Sequence, residues 1–154
     1  MSGGLERFVD AQEADYAGYA VALAEIRQGR KRSHWIWYVF PQLAGLGRSP
    51  AAQAYGVAGR REAEAYLRDP LLRDRLLEIT TAVGEQLRKG IPIATLMGSE
   101  IDAMKLVSSM TLFRGVAAGT DRDLERAATV VLEQAEAQGY PPCEFTRAEL
   151  GRSR

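Results

Sequence analysis

His34 is the chain's only histidine, and it opens the run His34-Trp35-Ile36-Trp37-Tyr38-Val39-Phe40-Pro41-Gln42, which also holds both tryptophans. An imidazole that is neutral near pH 7 can take up a proton as a base or donate a hydrogen bond. The Gln42 carboxamide can orient water, and Trp35 or Trp37 offers a flat face on which a base can stack. A second constellation comprises Asp102, Lys105, Ser108, Ser109 and Thr111. Its three- and four-residue spacings make neighbours of these side chains on a helix. Lys105 with Ser108, Ser109 and Thr111 supplies a cation and hydroxyls suited to a phosphate. Asp102 is the carboxylate best placed to manage oxocarbenium charge or activate water at an N-glycosidic bond, alongside His34 and Gln42. Each residue also has a plainer role. The His34 ring can satisfy a nearby carbonyl, the aromatic residues can be core, and Lys105 can pair with Asp102, since a buried ion needs a partner. From the sequence, the anion that meets Lys105 is either Asp102 or a ligand phosphate.

The elements that must position these groups read as helices. Leu5 to Gln12 has helical apolar spacing. Asp15 reads as the N-cap of a second helix with Tyr16, Tyr19, Ala20, Leu23 and Ile26 inward, stopped at Gly29. Residues 34–40 have strand-favouring types, but no partner strand is evident. They therefore read as a short buried helix capped by Ser33 and ended near Pro41. Ser49-Pro50 and Asp69-Pro70 are cap-plus-proline starts. The first opens a helix over Ala51 to Val57, broken at Gly59; Arg61 to Arg68 forms another. The second opens a long helix with Leu72, Leu76, Ile79, Val83 and Leu87 as its stripe, closed by Gly90 and Pro92. Ile93 to Met97 is a brief apolar element. Ser99 caps a helix in which Ile101, Met104, Leu106, Val107, Met110, Leu112 and Phe113 leave few polar positions, the pattern of a central buried helix. Thr120 or Asp121 caps a last long helix ending at Gly139, and Thr146 with Glu149 reads as a capping box for a frayed terminal turn.

The 154 residues, 46% hydrophobic, suit one domain with a real core. Twenty basic and twenty acidic residues cancel, so no global field draws the chain to nucleic acid or an anionic membrane. Arg27, Arg30, Lys31 and Arg32 beside the tryptophans make a basic corner, which also simply complements a helix end. Cys143 is alone, which excludes an internal disulfide framework and a cysteine-zinc cluster; with one histidine, no metal site is expected. With neither a signal-peptide pattern nor a run of about 20 apolar residues, the expectation is a cytoplasmic protein without membrane contact. Walker, dinucleotide-fingerprint, zincin and nucleophile-elbow motifs are absent, and Gly45-Leu46-Gly47 is a weak phosphate signal.

His34 to Gln42, then Glu62-Ala63 with Tyr66-Leu67, then Asp102 with Lys105, Ser108-Ser109 and Thr111-Leu112-Phe113 resemble an uncharacterised family. It is catalogued as domain-of-unknown-function family number eighteen hundred and ten, and some members carry the label calpastatin. The resemblance implies a small, mainly helical protein and no established activity. Calpain-inhibitor repeats are disordered, whereas this chain has the pattern of a packed core. The sequence is also similar at pattern level to NADAR, or YbiA-like, helical proteins, which act on N-glycosidic bonds of ADP-ribose-type compounds. It departs from them in lacking their Glu-His pair, because Ser33 precedes His34.

The expectation is therefore a single all-α, multihelical domain over residues 1–154, frayed at 1–4 and 147–154. Its pocket would lie between the His34 to Gln42 element and the Asp102 to Phe113 helix. The ligand would be a nucleotide or ADP-ribose-like molecule, bound without further cofactor and cleaved at an N-glycosidic bond if the protein is an enzyme. The competing expectation is a non-catalytic module that presents the aromatic run and basic corner to a protein or nucleic acid. A ligand site requires the polar residues to converge on one cavity; an interaction surface requires exposed tryptophan rings. Oligomeric state is open.

Overall fold

The structure, a computed structural model, describes residues 4–152. Ten helices and no strand occur among them, so the fold is all-α, as the sequence pattern implies. The cap-plus-proline signals mark real starts. Ser49 Oγ accepts from the Ala52 amide at 3.1 Å ahead of α4 (Pro50–Ala54). Asp69 Oδ1 accepts from the Leu72 amide at 3.1 Å ahead of α6 (Pro70–Arg88). In both, proline sits where its missing N–H costs nothing. Ser99 caps α8 (Glu100–Ala117) and Asp121 caps α9 (Arg122–Ala137) in the same manner.

The 18-residue α8 is the axis of the molecule, lying against α9, α5 (Arg60–Arg68), α7 (Ile93–Met97) and α10 (Glu144–Arg152). On the far side of α9, α6 packs between α9 and α2 (Tyr19–Arg27). An α6 to α9 tie comes from Arg73, whose guanidinium grips Asp121 with two bonds of 2.9 Å. That grip, with the Leu124 amide, holds the Asp121 carboxyl below its ordinary pKa against the opposing effect of burial. The N-terminal end is fastened by Arg7 of α1 (Glu6–Gln12), which forks onto Glu62 of α5 at 2.8 and 3.1 Å. A chain of rings, Phe8 to Tyr66 at 5.3 Å and Tyr66 to Phe113 at 5.1 Å, then joins α1 through α5 to α8.

Several local expectations are corrected. The second helix starts at Tyr19 after Gly18; Asp15 does not cap it, and Tyr16 is exposed. The aromatic run contributes only one turn, α3 (Ile36–Val39), preceded by Trp35. Ser33 does not cap it, because its hydroxyl is committed to Glu25. Helix α4 ends at Ala54, and Val57 instead pairs with Leu43 in an isolated parallel bridge. Thr146 lies buried inside α10, donating to Cys143 Sγ at 3.2 Å. On α8, Ile101 and Met104 are 66% and 60% exposed, so the first turns of the central helix reach the surface.

Candidate functional site

The aromatic run is anchored from α2. Glu25 follows Ala22 by three residues and precedes Ile26, both fully buried, so its carboxylate is carried inward with them. There it accepts from the Arg32 amide at 2.8 Å, the Ser33 amide at 3.0 Å, the Ser33 hydroxyl at 2.6 Å and the Trp35 indole at 2.8 Å. Burial alone would raise the pKa of this carboxyl, but the four hydrogen bonds outweigh it and lower the value to about 2. Trp35 is fully buried, and its ring is core.

Lys31, in the same loop, is 7% exposed. Its amide donates to the Leu96 carbonyl at 2.7 Å, and its Nζ meets Asp102 Oδ2 at 2.8 Å and the Ser33 carbonyl at 2.6 Å. The chain approaches closely here because Gly98 adopts φ +84°; a Cβ there would sit 3.0 Å from the Lys31 carbonyl oxygen. Asp102 is therefore claimed from outside its helix. Lys105 stands 3.8 Å from the other Asp102 oxygen, with its Nζ 5.1 Å from the centre of the Trp37 ring. Lys31 stands the same distance over Trp35. Two cations, two indoles and one carboxylate thus form a continuous charged seam between the aromatic run and α8.

The remaining expected site residues lie elsewhere. His34 is exposed, and its carbonyl accepts from the Tyr38 hydroxyl at 3.2 Å. Gln42 is half-buried, and its carbonyl holds the Val57 amide at 2.9 Å. Ser109 is fully buried, and its hydroxyl has no hydrogen-bond partner among the described residues. Ser108 and Thr111 face α10: Ser108 Oγ donates to the Met104 carbonyl at 3.1 Å, while Thr111 Oγ1 donates to the Val107 carbonyl at 2.7 Å and accepts the Cys143 amide at 3.1 Å. The expected residues are therefore split between two faces of α8. Asp102 and Lys105 belong to the aromatic seam, Ser108 and Thr111 to the α10 side.

On that second side lies a cleft of about 460 Å³ between α8 and the segment leading into α10, lined by Met104, Val107, Ser108, Tyr140, Pro142 and Cys143. The Cys143 thiol stands at the start of α10. Burial would raise its pKa, but the neighbouring Ser108 hydroxyl, the Thr146 hydroxyl that donates to its Sγ, and the Thr146 and Phe145 amides lower it below the ordinary thiol value. The sequence signal for this site was Pro141-Pro142-Cys143-Glu144, a thiol directly after a chain break and at a helix start. Among the described residues no helix is long and apolar enough to cross a membrane, and no group of three His, Cys, Asp or Glu side chains is placed to hold a metal ion.

Comparison with known proteins agrees with the fold and adds no activity. The crystal structure of the conserved hypothetical protein Rv1873 from Mycobacterium tuberculosis, at 1.38 Å, superposes with a TM-score of 0.78 at 42% identity, covering 94% of each chain. No curated protein matches the sequence. The family described as "Protein of unknown function (DUF1810)" matches over residues 2–136, which is most of the chain. This protein belongs to that family.

Proposed function

We propose that the protein binds a nucleotide or ADP-ribose-like small molecule in the α8–α10 cleft. The observation that carries the reading is the cleft itself. Its volume of about 460 Å³ lies within the roughly 300–1,000 Å³ of small-molecule sites, and its walls combine apolar side chains with a few polar groups. Met104, Val107, Tyr140 and Pro142 suit a flat base, while the Ser108 hydroxyl and Cys143 thiol supply polar contacts. Neither Trp35 nor Trp37 lines this cleft, so the stacking role passes to Tyr140. Neither His34 nor Asp102 lines it either, and Asp102 is held by Lys31. The reading therefore stops at binding and includes no hydrolytic step.

Thermal unfolding with adenosine, NAD and ADP-ribose tests the reading. A ligand at about a hundred times its dissociation constant stabilises the fold by ~2.7 kcal/mol. That shift is expected in the parent protein and is expected to disappear in Tyr140→Ala. A flat response to every compound would sink it. The second reading, an interaction module, is favoured by Ile101 and Met104, apolar, exposed and one turn apart on α8. It would gain if no compound binds while Ile101→Ser leaves the fold intact and abolishes self-association or partner capture.

A further inference from the structure

The same stripe of α8 continues past the cleft. Met104, Val107, Ser108, Thr111, Arg114 and Gly115 recur at helical spacing, and α10 packs against α8 with Leu150 on Gly115 at the far end of this stripe. Beyond Thr111 the character of the surface changes from apolar to cationic. Arg60 of α5, Arg114 of α8 and Arg147 of α10 border one pocket of about 200 Å³, with Thr111 in its wall and no carboxylate in its lining.

Among the described residues, none of the three guanidiniums is well matched. Arg60 Nη1 is 3.8 Å from Glu64, its Nη2 reaches the Leu150 carbonyl at a long 3.5 Å, and its Nε is buried without a hydrogen-bond partner. Arg147 Nη1 is 3.8 Å from Glu144, a loose and exposed pair. Arg114 makes no ion pair or side-chain hydrogen bond among the described residues. Glu149 lines a neighbouring pocket together with Arg60 and pairs with Arg152. An arginine in the last turn of a helix, as Arg114 is in α8, is ordinarily a solvated complement to the helix dipole. Arg60, however, opens α5 and Arg147 lies in the first turn of α10, where the dipole opposes a cation. Three of them from three different helices around one recess repel one another and leave donors unused. This is the arrangement that a doubly charged oxyanion relieves, since guanidinium forks match phosphate oxygens.

We propose that Arg60, Arg114 and Arg147 form a phosphoryl-binding pocket. The inference rests on the arginines alone and deepens the cleft reading, because a nucleotide could place its base in the cleft and its phosphate here. Isothermal titration and thermal unfolding with inorganic phosphate, against sodium chloride of equal ionic strength, test the pocket directly. Phosphate is expected to raise the melting temperature where chloride does not. Arg114→Gln and Arg147→Gln are each expected to weaken phosphate binding by about tenfold or more, the effect of losing a charge-assisted hydrogen bond. Because like-charge repulsion is relieved, the unliganded Arg114→Gln protein is expected to be at least as stable as the parent. Equal responses to phosphate and chloride, or variants that bind phosphate as the parent does, would overturn the pocket. Comparing adenosine with adenosine monophosphate separates the two readings. Phosphate binding without adenosine binding leaves the pocket standing and removes the cleft ligand. Adenosine binding with no gain from the phosphate, and no response to inorganic phosphate, does the reverse.

Discussion

A single carboxylate organises the aromatic run. Glu25 takes two backbone amides, one hydroxyl and one indole N–H from the loop that follows its own helix, so a charge that would be costly alone becomes the fixed point around which Arg32 to Trp35 turn. Its carboxyl has a pKa of about 2, against 4.5 for an ordinary glutamate. A depressed carboxylate pKa gives stability that is complete above the unfolded value and is lost as pH falls toward the folded one. Glu25 therefore contributes about 3 kcal/mol at neutral pH, decaying between roughly pH 4.5 and pH 2. Urea unfolding across that range is expected to show a steep acid limb in the parent and a shallower one in Glu25→Gln, whose stability at neutral pH is lower by a similar amount. Parallel limbs would show that Glu25 is not the titrating group. Composition gives no hint of this role; the clue was positional, an acid on the inward face of a helix between Ala22 and Ile26.

Between elements, the ion pair from Lys31 to Asp102 ties the loop after α2 to the first turn of α8. Removing Lys31 leaves the Asp102 carboxylate to the more distant Lys105 at 3.8 Å, at a cost of up to about 3 kcal/mol, whereas replacing both members of such a pair with apolar groups is often close to neutral. Lys31→Met alone is expected to lose that much in denaturant unfolding. Adding Asp102→Leu is expected to recover most of it, while losses that merely add would show that the two side chains are not coupled. The helices themselves were readable because their boundaries carry local chemistry: Ser49-Pro50, Asp69-Pro70 and Ser99 act through bonds to the next turn alone. The site was less readable, for a geometric reason. Steps of three residues lag the 3.6-residue turn by about 60° each, so the row Asp102, Lys105, Ser108, Thr111 winds halfway around α8. Its first half faces the aromatic run and its second half faces α10, which is why residues that are neighbours pairwise do not share one pocket. The partners that decide their roles, Lys31 and Cys143, lie far away in sequence, beyond the reach of any spacing argument.

At the scale of the molecule, charge balance and an all-helical core leave the outer face of α8 as the place where chemistry-bearing groups gather. The family match covers residues 2–136, yet both the cleft and the arginine pocket take part of their walls from residues 139–151. That segment is lightly attached. In α10 only Thr146 and Leu150 are buried, and Leu150 sits on Gly115, where an added Cβ would fall 2.5 Å from its Cδ1. Helices with so few buried side chains open at a fraction of the global unfolding free energy. In deuterium exchange, the amides of α10 are thus expected to label long before those of α8 and α9, as one cooperative unit. Gly115→Ala, which wedges Leu150 outward, should speed that labelling without changing the rate in α9. The two recesses would then share one hinged wall, and a ligand in either would slow exchange along the whole helix.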